Sequence, residues 1–508
     1  MEGNELKAGV CINYISIAVR LSTAFFLTPF VIAKLGAEEY GLFMLSNSVI
    51  AWLTLTDFGL GATVNKYITS FRARRKDEEQ SYFLGQAIVL YSVLGLIALG
   101  VGFACYCQLE SLFPNLQEAQ YETLKIIFLL TLSNVVLSIP LRPLGSIPWA
   151  YMKFIVPGVI NLGGSLLNMT LTVILLLMGY KAIGLTVLGV AIGVLSLLLG
   201  AIYVFKYLDV KVLFRRPDMA LYRAMFRFSF WVFLGQMMDL FYWQAGTPVV
   251  ARLCGAASVP LFTLGVSFAN YFMTASTAIA NVVAPKLMQM VSVEASGSEL
   301  TRVLIRAGRM QFVLIALMML GFIVFGSQFL KLWVGASIGE GVSTVWLGAV
   351  IVLLPLVLPL TQSVGIGILQ AMCIHKGRSI ILFFTSLTCV VMGYLLTLCW
   401  GAIGMFIGTG VSLFFGQGIA MNLYYHYRAR LDMVRFFRET YWPAIMPVVT
   451  LLVMGLAVVR IFPADSWSSF AVLASLYGLV CACTLFLCYL RDDERGMILK
   501  PLRHLFRI

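Results

Sequence analysis

Fourteen apolar segments, each about 19 residues or longer, run through the 508-residue chain and are separated by turns or charged residues. The hydrocarbon core of a bilayer is about 30 Å thick, and a helix needs about 20 residues to cross it. These long runs exclude a β-barrel, because barrel strands alternate lipid-facing and lumen-facing side chains. The sequence therefore predicts an all-α polytopic membrane protein. The predicted spans are 10–33, 40–62, 82–107, 123–141, 154–178, 182–205, 228–250, 259–284, 310–332, 342–370, 379–400, 402–425, 442–462 and 468–490.

The composition agrees with this class and argues against a metal site. Hydrophobic residues make up 60% of the chain, and charged residues only 12%, which is about half of the usual globular share. The ten cysteines lie in apolar runs without a CxxC motif, and the three histidines, His375, His426 and His504, lie far from them in the sequence. This spacing is unlike that of known metal sites. We expect neither a metal nor any other cofactor.

The basic residues predict how the helices are oriented. If the N-terminus is cytoplasmic, 29 of the 36 lysines and arginines fall on the inner side, six fall on the outer side, and Arg20 lies within the membrane. This asymmetry follows the positive-inside rule, so we expect both termini in the cytoplasm. The net charge of +13 is then a topology signal. It gives no support to nucleic-acid binding.

The connecting segments are too short for a separate catalytic domain. The longest predicted outer loop is the stretch from Gln108 to Glu122, and no G-x-x-x-x-G-K-[ST] phosphate-binding motif occurs in the chain. The chain therefore lacks the motif of an ATPase. We predict that the protein is not an enzyme and that it acts within the bilayer.

An internal repeat divides the chain. Segment 31–43 is similar to 249–262 with Cys254 as one inserted residue, and segment 109–113 is similar to 329–333 at an offset of 220. Six helices separate the two copies, and an even number preserves their orientation, so the repeats are predicted to be parallel. The predicted domains are two pseudo-symmetric six-helix lobes at 1–206 and 228–427, a cytoplasmic linker at 207–227, and two further spans with a cytoplasmic tail at 428–508.

Two consecutive segments carry a family pattern. Segment 27–43 reads LTPFVIAKLGAEEYGLF and segment 55–67 reads LTDFGLGATVNKY, which contain a proline, LG-x-x-x-YG and D-[FL]-G-[LF]-G in that order. They resemble the bacterial polysaccharide transporter, or O-antigen flippase, family of the multidrug/oligosaccharidyl-lipid/polysaccharide exporter superfamily. The segments PKL at 285–287 and FLKLWVG at 329–335 are also similar to this family.

The resemblance implies a function, a location and partners. It implies two six-helix lobes around a central cavity that flip an undecaprenyl-diphosphate-linked oligosaccharide by alternating access. The cargo would be an O-antigen, capsule or exopolysaccharide repeat unit, moved from the cytoplasmic to the periplasmic leaflet of the bacterial inner membrane. Membrane lipid, a proton or sodium gradient and the polysaccharide polymerase machinery are the further partners that the resemblance implies.

The first predicted span carries a polar stripe. Asn13, Ser16, Arg20 and Thr23 are spaced by three, four and three residues, which places them on one helical face. An arginine at mid-membrane costs roughly 2.5 to 3.5 kcal/mol on insertion scales, so it needs a compensating role. Arg20 has two alternative interpretations without a role in substrate binding: its side chain snorkels to the membrane surface, or it forms a structural ion pair. We expect instead that the four residues bind substrate, with Arg20 as the diphosphate ligand.

The seventh span carries Gln236, Asp239 and Trp243 on one face. A carboxylate at this depth is a candidate for coupling to a proton or sodium gradient, with Gln236 beside it. A helix-packing hydrogen bond, or an ion pair between Asp239 and Arg20, is the alternative. Both interpretations stay open.

The eighth span carries the longest polar stripe. Its residues are spaced by four, three, four, three and four: Thr263, Ser267, Asn270, Thr274, Thr277 and Asn281. We identify Asn270, Thr274, Thr277 and Asn281 as candidate substrate-binding residues that face the sugars. Small polar residues at this spacing also serve ordinary helix packing, which is the alternative.

Three charged residues near the predicted inner ends complete the candidates. Asp57 in the DFGLG motif is predicted to cap or brace the second span, a structural role. Lys66 and Arg142 are the next candidate diphosphate ligands if Arg20 does not serve.

Two other functions compete with the flippase interpretation. A multidrug or organic-cation exporter of the same superfamily would use buried acids without a central arginine. A membrane O-antigen polymerase or ligase would be an enzyme and would need a sizeable outer loop rich in arginine, histidine or aspartate. The short outer loops disfavour this enzyme.

Overall fold

The computed structural model describes residues 2–292, 295–372, 374, 376–463 and 465–496. Within these ranges the secondary structure is helical and contains no strand, which confirms the predicted all-α class. By its internal contacts the chain forms two compact units, Met1–Pro260 and Leu261–Ile508.

The first unit begins with a helix of 52 residues that runs through the first two predicted spans. The helix is interrupted at Gly36, where the backbone takes φ 80° and ψ 163°. A 3-10 turn at Thr54–Asp57 follows it. The helices of this unit are α1 Glu2–Leu53, α2 Leu60–Ala73, α3 Asp77–Cys107, α4 Leu109–Leu112, α5 Glu118–Ser138, α6 Arg142–Ala150, α7 Ile155–Leu177, α8 Ala182–Ile202, α9 Met219–Gln244 and α10 Gly246–Cys254.

The second unit continues with long helices. They are α11 Val259–Ser292, α12 Gly297–Ile338, α13 Gly341–Thr361, α14 Ser363–Ala371, α15 Lys376–Trp400, α16 Ala402–Leu413, α17 Met421–Tyr427, α18 Met433–Thr440, α19 Ile445–Ile461 and α20 Trp467–Thr484. A π-helical segment at Phe414–Ala420 joins α16 to α17, and another at Leu485–Tyr489 extends α20.

Eleven described helical segments are long and apolar enough to cross a membrane, and they correspond to eleven of the fourteen predicted spans. The other three predicted spans are 10–33, 40–62 and 228–250. They are also mainly helical: the first lies in α1, the second runs from α1 through the 3-10 turn Thr54–Asp57 to the start of α2, and the third lies in α9 and α10. A fold with about fourteen transmembrane helices therefore agrees with the sequence.

The lobe boundaries stay a prediction. The contact-based division falls between Pro260 and Leu261, so α9, which the repeat assigns to the second lobe, belongs to the first compact unit. The predicted linker at 207–227 includes the start of α9 at Met219.

A buried ion pair joins α12 to the segment that follows Tyr489. Arg309 and Glu494 are each only 2% exposed, and Arg309 Nε donates to both Glu494 carboxylate oxygens, at 2.9 and 3.0 Å. Arg309 Nη1 also donates to the Glu439 carbonyl at 2.7 Å, and Nη2 donates to the Tyr489 carbonyl. A buried guanidinium needs this number of acceptors to offset its lost hydration.

Candidate functional site

Among the described residues of the Met1–Pro260 unit, we consider three cavities whose volumes are typical of ligand pockets, about 300 to 1,000 Å³. We name them by their polar residues. The amide cavity, of about 380 Å³, contains Asn47 and Asn168. The middle cavity, of about 460 Å³, contains Asn161. The arginine cavity has a volume of about 340 Å³ and is lined by Thr54, Leu55, Asp57, Arg142, Gln236, Asp239, Leu240, Trp243 and Gln244.

The amide cavity presents uncharged hydrogen-bonding groups. Among its described lining residues none is charged, and Thr172 Oγ1 donates to Asn168 Oδ1 at 3.1 Å. Amides and hydroxyls both donate and accept hydrogen bonds, as the hydroxyl groups of a sugar do. Its polar lining consists of Thr23, Thr28, Tyr40, Asn47, Thr131, Asn134, Asn168, Thr172 and Thr186.

Asn134 lines both the amide cavity and the middle cavity. Its amide fits opposite Gly193, where an added Cβ would lie 3.1 Å from Asn134 Oδ1 and 3.2 Å from Nδ2. The Oδ1 atom is buried and accepts no hydrogen bond from the described residues. Because Gly193 has no side chain, it leaves room for the Asn134 amide, which lies between the two cavities. The oxygen of this amide has no hydrogen-bond donor among the described residues.

The DFGLG motif shapes the arginine cavity. Phe58, with φ 48° and ψ 27°, and Gly59, with φ 66° and ψ 16°, are consecutive left-handed residues that end the 3-10 turn and start α2. Glycine takes this conformation without strain, which explains its place in the motif. The turn leaves Asp57 at the wall of the cavity.

Arg142 lies opposite Asp57. It begins α6 directly after the 3-10 turn Ile139–Leu141, and its Nη1 atom lies 3.6 Å from Asp57 Oδ2. The Arg142 side chain is 30% exposed and that of Asp57 is 16% exposed. Arg142 also lines the middle cavity, so one guanidinium borders two cavities. The predicted bracing of this region by Asp57 thus takes the form of a long ion pair with Arg142.

The predicted coupling residues reach the same cavity. Gln236, Asp239 and Trp243 on α9 all line the arginine cavity, and the first two side chains are exposed. The structure therefore brings Gln236 and Asp239 together with Asp57 and Arg142 in one site.

The stripe on α1 is only partly described. Ser16 Oγ donates to the Ile12 carbonyl of its own helix at 2.8 Å. Thr23 lines the amide cavity, and its Oγ1 donates to Met169 Sδ at 3.4 Å. The side chains of Asn13 and Arg20 lie outside the described residues.

The stripe on α11 keeps its hydroxyls within the helix. Thr274 Oγ1 donates to the Asn270 carbonyl at 2.8 Å, and Thr277 Oγ1 donates to the Thr274 carbonyl at 3.0 Å. Back-bonding of this kind satisfies a hydroxyl inside a membrane helix. Asn270, Thr274 and Thr277 are all exposed, and the side chain of Asn281 lies outside the described residues.

The sequence interpretation missed the lining of the amide cavity. Asn47, Asn134 and Asn168 are amides in mainly apolar spans, each near serine or threonine residues, and an amide at membrane depth was the available signal. They come from α1, α5 and α7, so periodicity within one helix does not group them. Asp57 and Arg142 were identified, but not as partners.

Comparison with known proteins identifies a matching family. The family model described as "Polysaccharide biosynthesis protein" matches residues 9–291, more than half of the chain. A search of curated proteins finds no match to the chain.

Solved structures share the fold. A structure of the lipid II flippase MurJ in its inward closed conformation has a TM-score of 0.73 and 15% identity, and the alignment covers 97% of this chain and 99% of that one. An inward-facing multidrug resistance MATE family transporter of the MOP superfamily has a TM-score of 0.69 and 15% identity, with 85% and 99% covered. A MOP superfamily transporter from Pyrococcus furiosus has a TM-score of 0.55 and 15% identity, with 82% and 92% covered. At this identity the likeness establishes the fold alone.

Proposed function

Because the chain belongs to the polysaccharide biosynthesis protein family, we propose that it is a flippase for an undecaprenyl-diphosphate-linked oligosaccharide. The cargo moves from the cytoplasmic to the periplasmic leaflet of the bacterial inner membrane, and the energy comes from a proton or sodium gradient. The multi-pass helical fold, which MurJ and MATE transporters share, supports a transporter rather than an enzyme.

The observation that carries the proposal is the place of Arg142 between two cavities. A lipid-linked sugar has an anionic diphosphate, neutral sugars and a polyprenyl tail. The guanidinium supplies a planar fork that pairs with phosphate oxygens. Uncharged amides and hydroxyls in the adjoining middle and amide cavities suit sugar hydroxyls. The apolar tail stays in the lipid.

Arg20 keeps its proposed role as diphosphate ligand, together with Asn13, Ser16 and Thr23. On the second unit, Asn270, Thr274, Thr277 and Asn281 are proposed to face the sugars. Asp239, with Gln236, is proposed to couple transport to the ion gradient. The polysaccharide polymerase machinery is the proposed recipient of the product on the outer side.

The exporter of organic cations is the second candidate, and the presence of Asp57 and Asp239 in one cavity favours it. Carboxylates are the natural ligands of a cationic drug. The nearby Arg142 opposes a cation, because it neutralises part of that negative charge.

Complementation distinguishes the two functions. The full chain is expressed in a strain that lacks its lipid-linked oligosaccharide flippase, and surface polysaccharide and inner-leaflet lipid-linked oligosaccharide are measured. We expect surface polysaccharide to return and the inner-leaflet intermediate to fall. An unchanged intermediate together with resistance to organic cations would instead establish the exporter.

A further inference from the structure

We propose that Asp57 is a built-in substitute for a ligand phosphate. It neutralises Arg142 while the arginine cavity is empty, and it gives up the guanidinium when a diphosphate enters. This inference rests on the proposed function and describes how the same site is kept ready for its anion.

The distance between the two side chains indicates an incomplete pair. Charge-assisted hydrogen bonds between guanidinium and carboxylate are about 2.7 to 2.9 Å long, whereas Arg142 Nη1 and Asp57 Oδ2 are 3.6 Å apart. A guanidinium has five N–H donors. Among the described residues, Asp57 supplies the recorded ion pair of Arg142, so donor capacity remains for a ligand.

The carboxylate is likewise poorly satisfied. Asp57 Oδ1 is buried and forms no hydrogen bond of normal geometry with the described residues, and the Tyr91 hydroxyl is a neighbouring polar group that interacts with this carboxylate. A buried carboxylate without full hydrogen bonding does not recover its lost hydration. The ion pair between Asp57 and Arg142 is therefore weaker than one with ideal geometry. A phosphate consequently needs little free energy to displace Asp57 from the guanidinium.

The exposure of the two groups sets the direction of approach. Arg142 is 30% exposed and Asp57 is 16% exposed, and both line the cavity. A phosphate that enters the cavity therefore meets a guanidinium that is more exposed than its carboxylate partner.

The chain contains an arginine that shows the opposite arrangement. Arg309 is 2% exposed, contacts both oxygens of Glu494 at 2.9 and 3.0 Å, and donates to two backbone carbonyls. Its donors are used for structure. Arg142 differs in distance, in exposure and in number of acceptors, which is the arrangement of a binding residue.

The pair also solves a problem of the empty state. A partly buried guanidinium without an anion loses hydration that nothing replaces, and Asp57 lowers that cost between transport cycles. Because the carboxylate competes with the ligand, it also weakens binding and helps release. The recognised chemistry is a phosphate or diphosphate, and two sources carry it: a lipid-linked diphosphate and the headgroup of an anionic phospholipid.

Diphosphate binding to the purified full chain tests the inference. The protein is placed in phosphatidylcholine nanodiscs and titrated with inorganic diphosphate in a calorimeter. We expect Arg142→Gln to weaken binding by about tenfold or more, since a hydrogen bond to a charged group is lost. We expect Asp57→Asn and Asp57→Ser to tighten binding several-fold, because the competitor is removed. With two variants, a folding failure of one leaves the other as the test.

The exposed pair Arg215–Glu78, at 3.2 Å and outside the three cavities, provides matched controls. Arg215→Gln and Glu78→Gln repeat the same chemical changes and should leave binding unchanged. Unchanged or weaker binding by both Asp57 variants would overturn the inference, as would wild-type affinity in Arg142→Gln.

A second arm separates the two phosphate sources. Nanodiscs that contain phosphatidylglycerol should reduce diphosphate affinity only slightly, whereas abolished binding would assign the site to a phospholipid headgroup and overturn the diphosphate assignment. The binding results do not depend on transport. A chain that shows the expected pattern in the nanodisc and fails complementation would reject the flippase function and leave the inference intact.

Discussion

Gly36 and Gly255 share one unusual backbone conformation, with φ 80° and ψ 163° at Gly36 and φ 81° and ψ 172° at Gly255. This region of φ and ψ is essentially restricted to glycine. The two glycines are equivalent positions of the repeat that relates segments 31–43 and 249–262. Agreement of a glycine-only conformation at the same point of both copies supports a duplication of the sequence.

The first prediction concerns this conformation. Gly36→Ala should lower the stability of the protein by about 1 to 3 kcal/mol, because alanine is strained at this φ and ψ. No atom lies within 4 Å of an added Cβ, so the effect is one of backbone strain rather than of collision. Thermal unfolding in detergent measures it. Gly100→Ala, also in open space but helical, is the control, and equal melting temperatures for the two variants would contradict the prediction.

A close approach gives the second prediction. A Cβ added to Gly41 would lie 2.1 Å from the Ala256 carbonyl oxygen and 2.9 Å from its carbon. Backbone atoms do not yield as a flexible side chain does, so Gly41→Ala should cost about 1 to 3 kcal/mol through overpacking. The melting temperature is again the measurement. Gly61→Ala, whose nearest atom is 3.9 Å away, should differ little from wild type. If the Gly41→Ala protein were as stable as this control, the Ala256 carbonyl would have to lie farther from Gly41 than these distances.

The third prediction concerns the buried pair Arg309–Glu494. Arg309→Met leaves the Glu494 carboxylate buried without its partner and should destabilise the protein by about 3 to 5 kcal/mol. The double variant Arg309→Met/Glu494→Gln removes both charges and should recover much of that loss. Unfolding of the two proteins is compared under the same conditions. A double variant no more stable than the single one would show that the loss comes from packing and from the backbone acceptors.

The fourth prediction is that Asp239→Asn keeps the amount of protein in the membrane but weakens gradient-driven transport. A carboxylate that lines the arginine cavity can exchange a proton or bind sodium, whereas an amide carries no exchangeable proton of this kind and no negative charge to attract a cation. Transport is measured in vesicles with and without imposed proton and sodium gradients. Unchanged transport with unchanged gradient dependence would leave Asp239 with a packing role.

The fifth prediction separates charge from geometry at Arg20. Arg20→Ala should abolish complementation at normal expression, while Arg20→Lys should be intermediate because lysine keeps the charge and loses the planar fork. Surface polysaccharide is the measurement. Full complementation by Arg20→Ala would mean that other basic residues bind the diphosphate, and Arg142 and Lys66 would be tested next.

The helices could be predicted because the membrane imposes a simple length rule. Eleven predicted spans coincide with helices that satisfy it. The span at 228–250 falls on α9 and α10, and the stretch 10–62 falls mostly on α1. Helical spacing also grouped Gln236, Asp239 and Trp243 correctly on one face, since all three line one cavity.

The pairs between helices could not be predicted in this way. Asp57 and Arg142 lie far apart in the sequence, and periodicity within one helix carries no information about which faces of two helices meet. Arg309 illustrates the same limit. It was counted with the cytoplasmic basic residues, yet it is buried against Glu494, because an arginine in sequence looks the same whether water or a carboxylate surrounds it.

The separation of Arg309 and Glu494 has a consequence for biosynthesis. The two residues are 185 positions apart, and a ribosome adds about 5 to 20 residues per second. The Glu494 carboxylate is therefore synthesised about 9 to 37 s after Arg309. During that interval α12 carries an uncompensated guanidinium at the membrane. The buried ion pair can therefore form only after the segment that contains Glu494 has been synthesised.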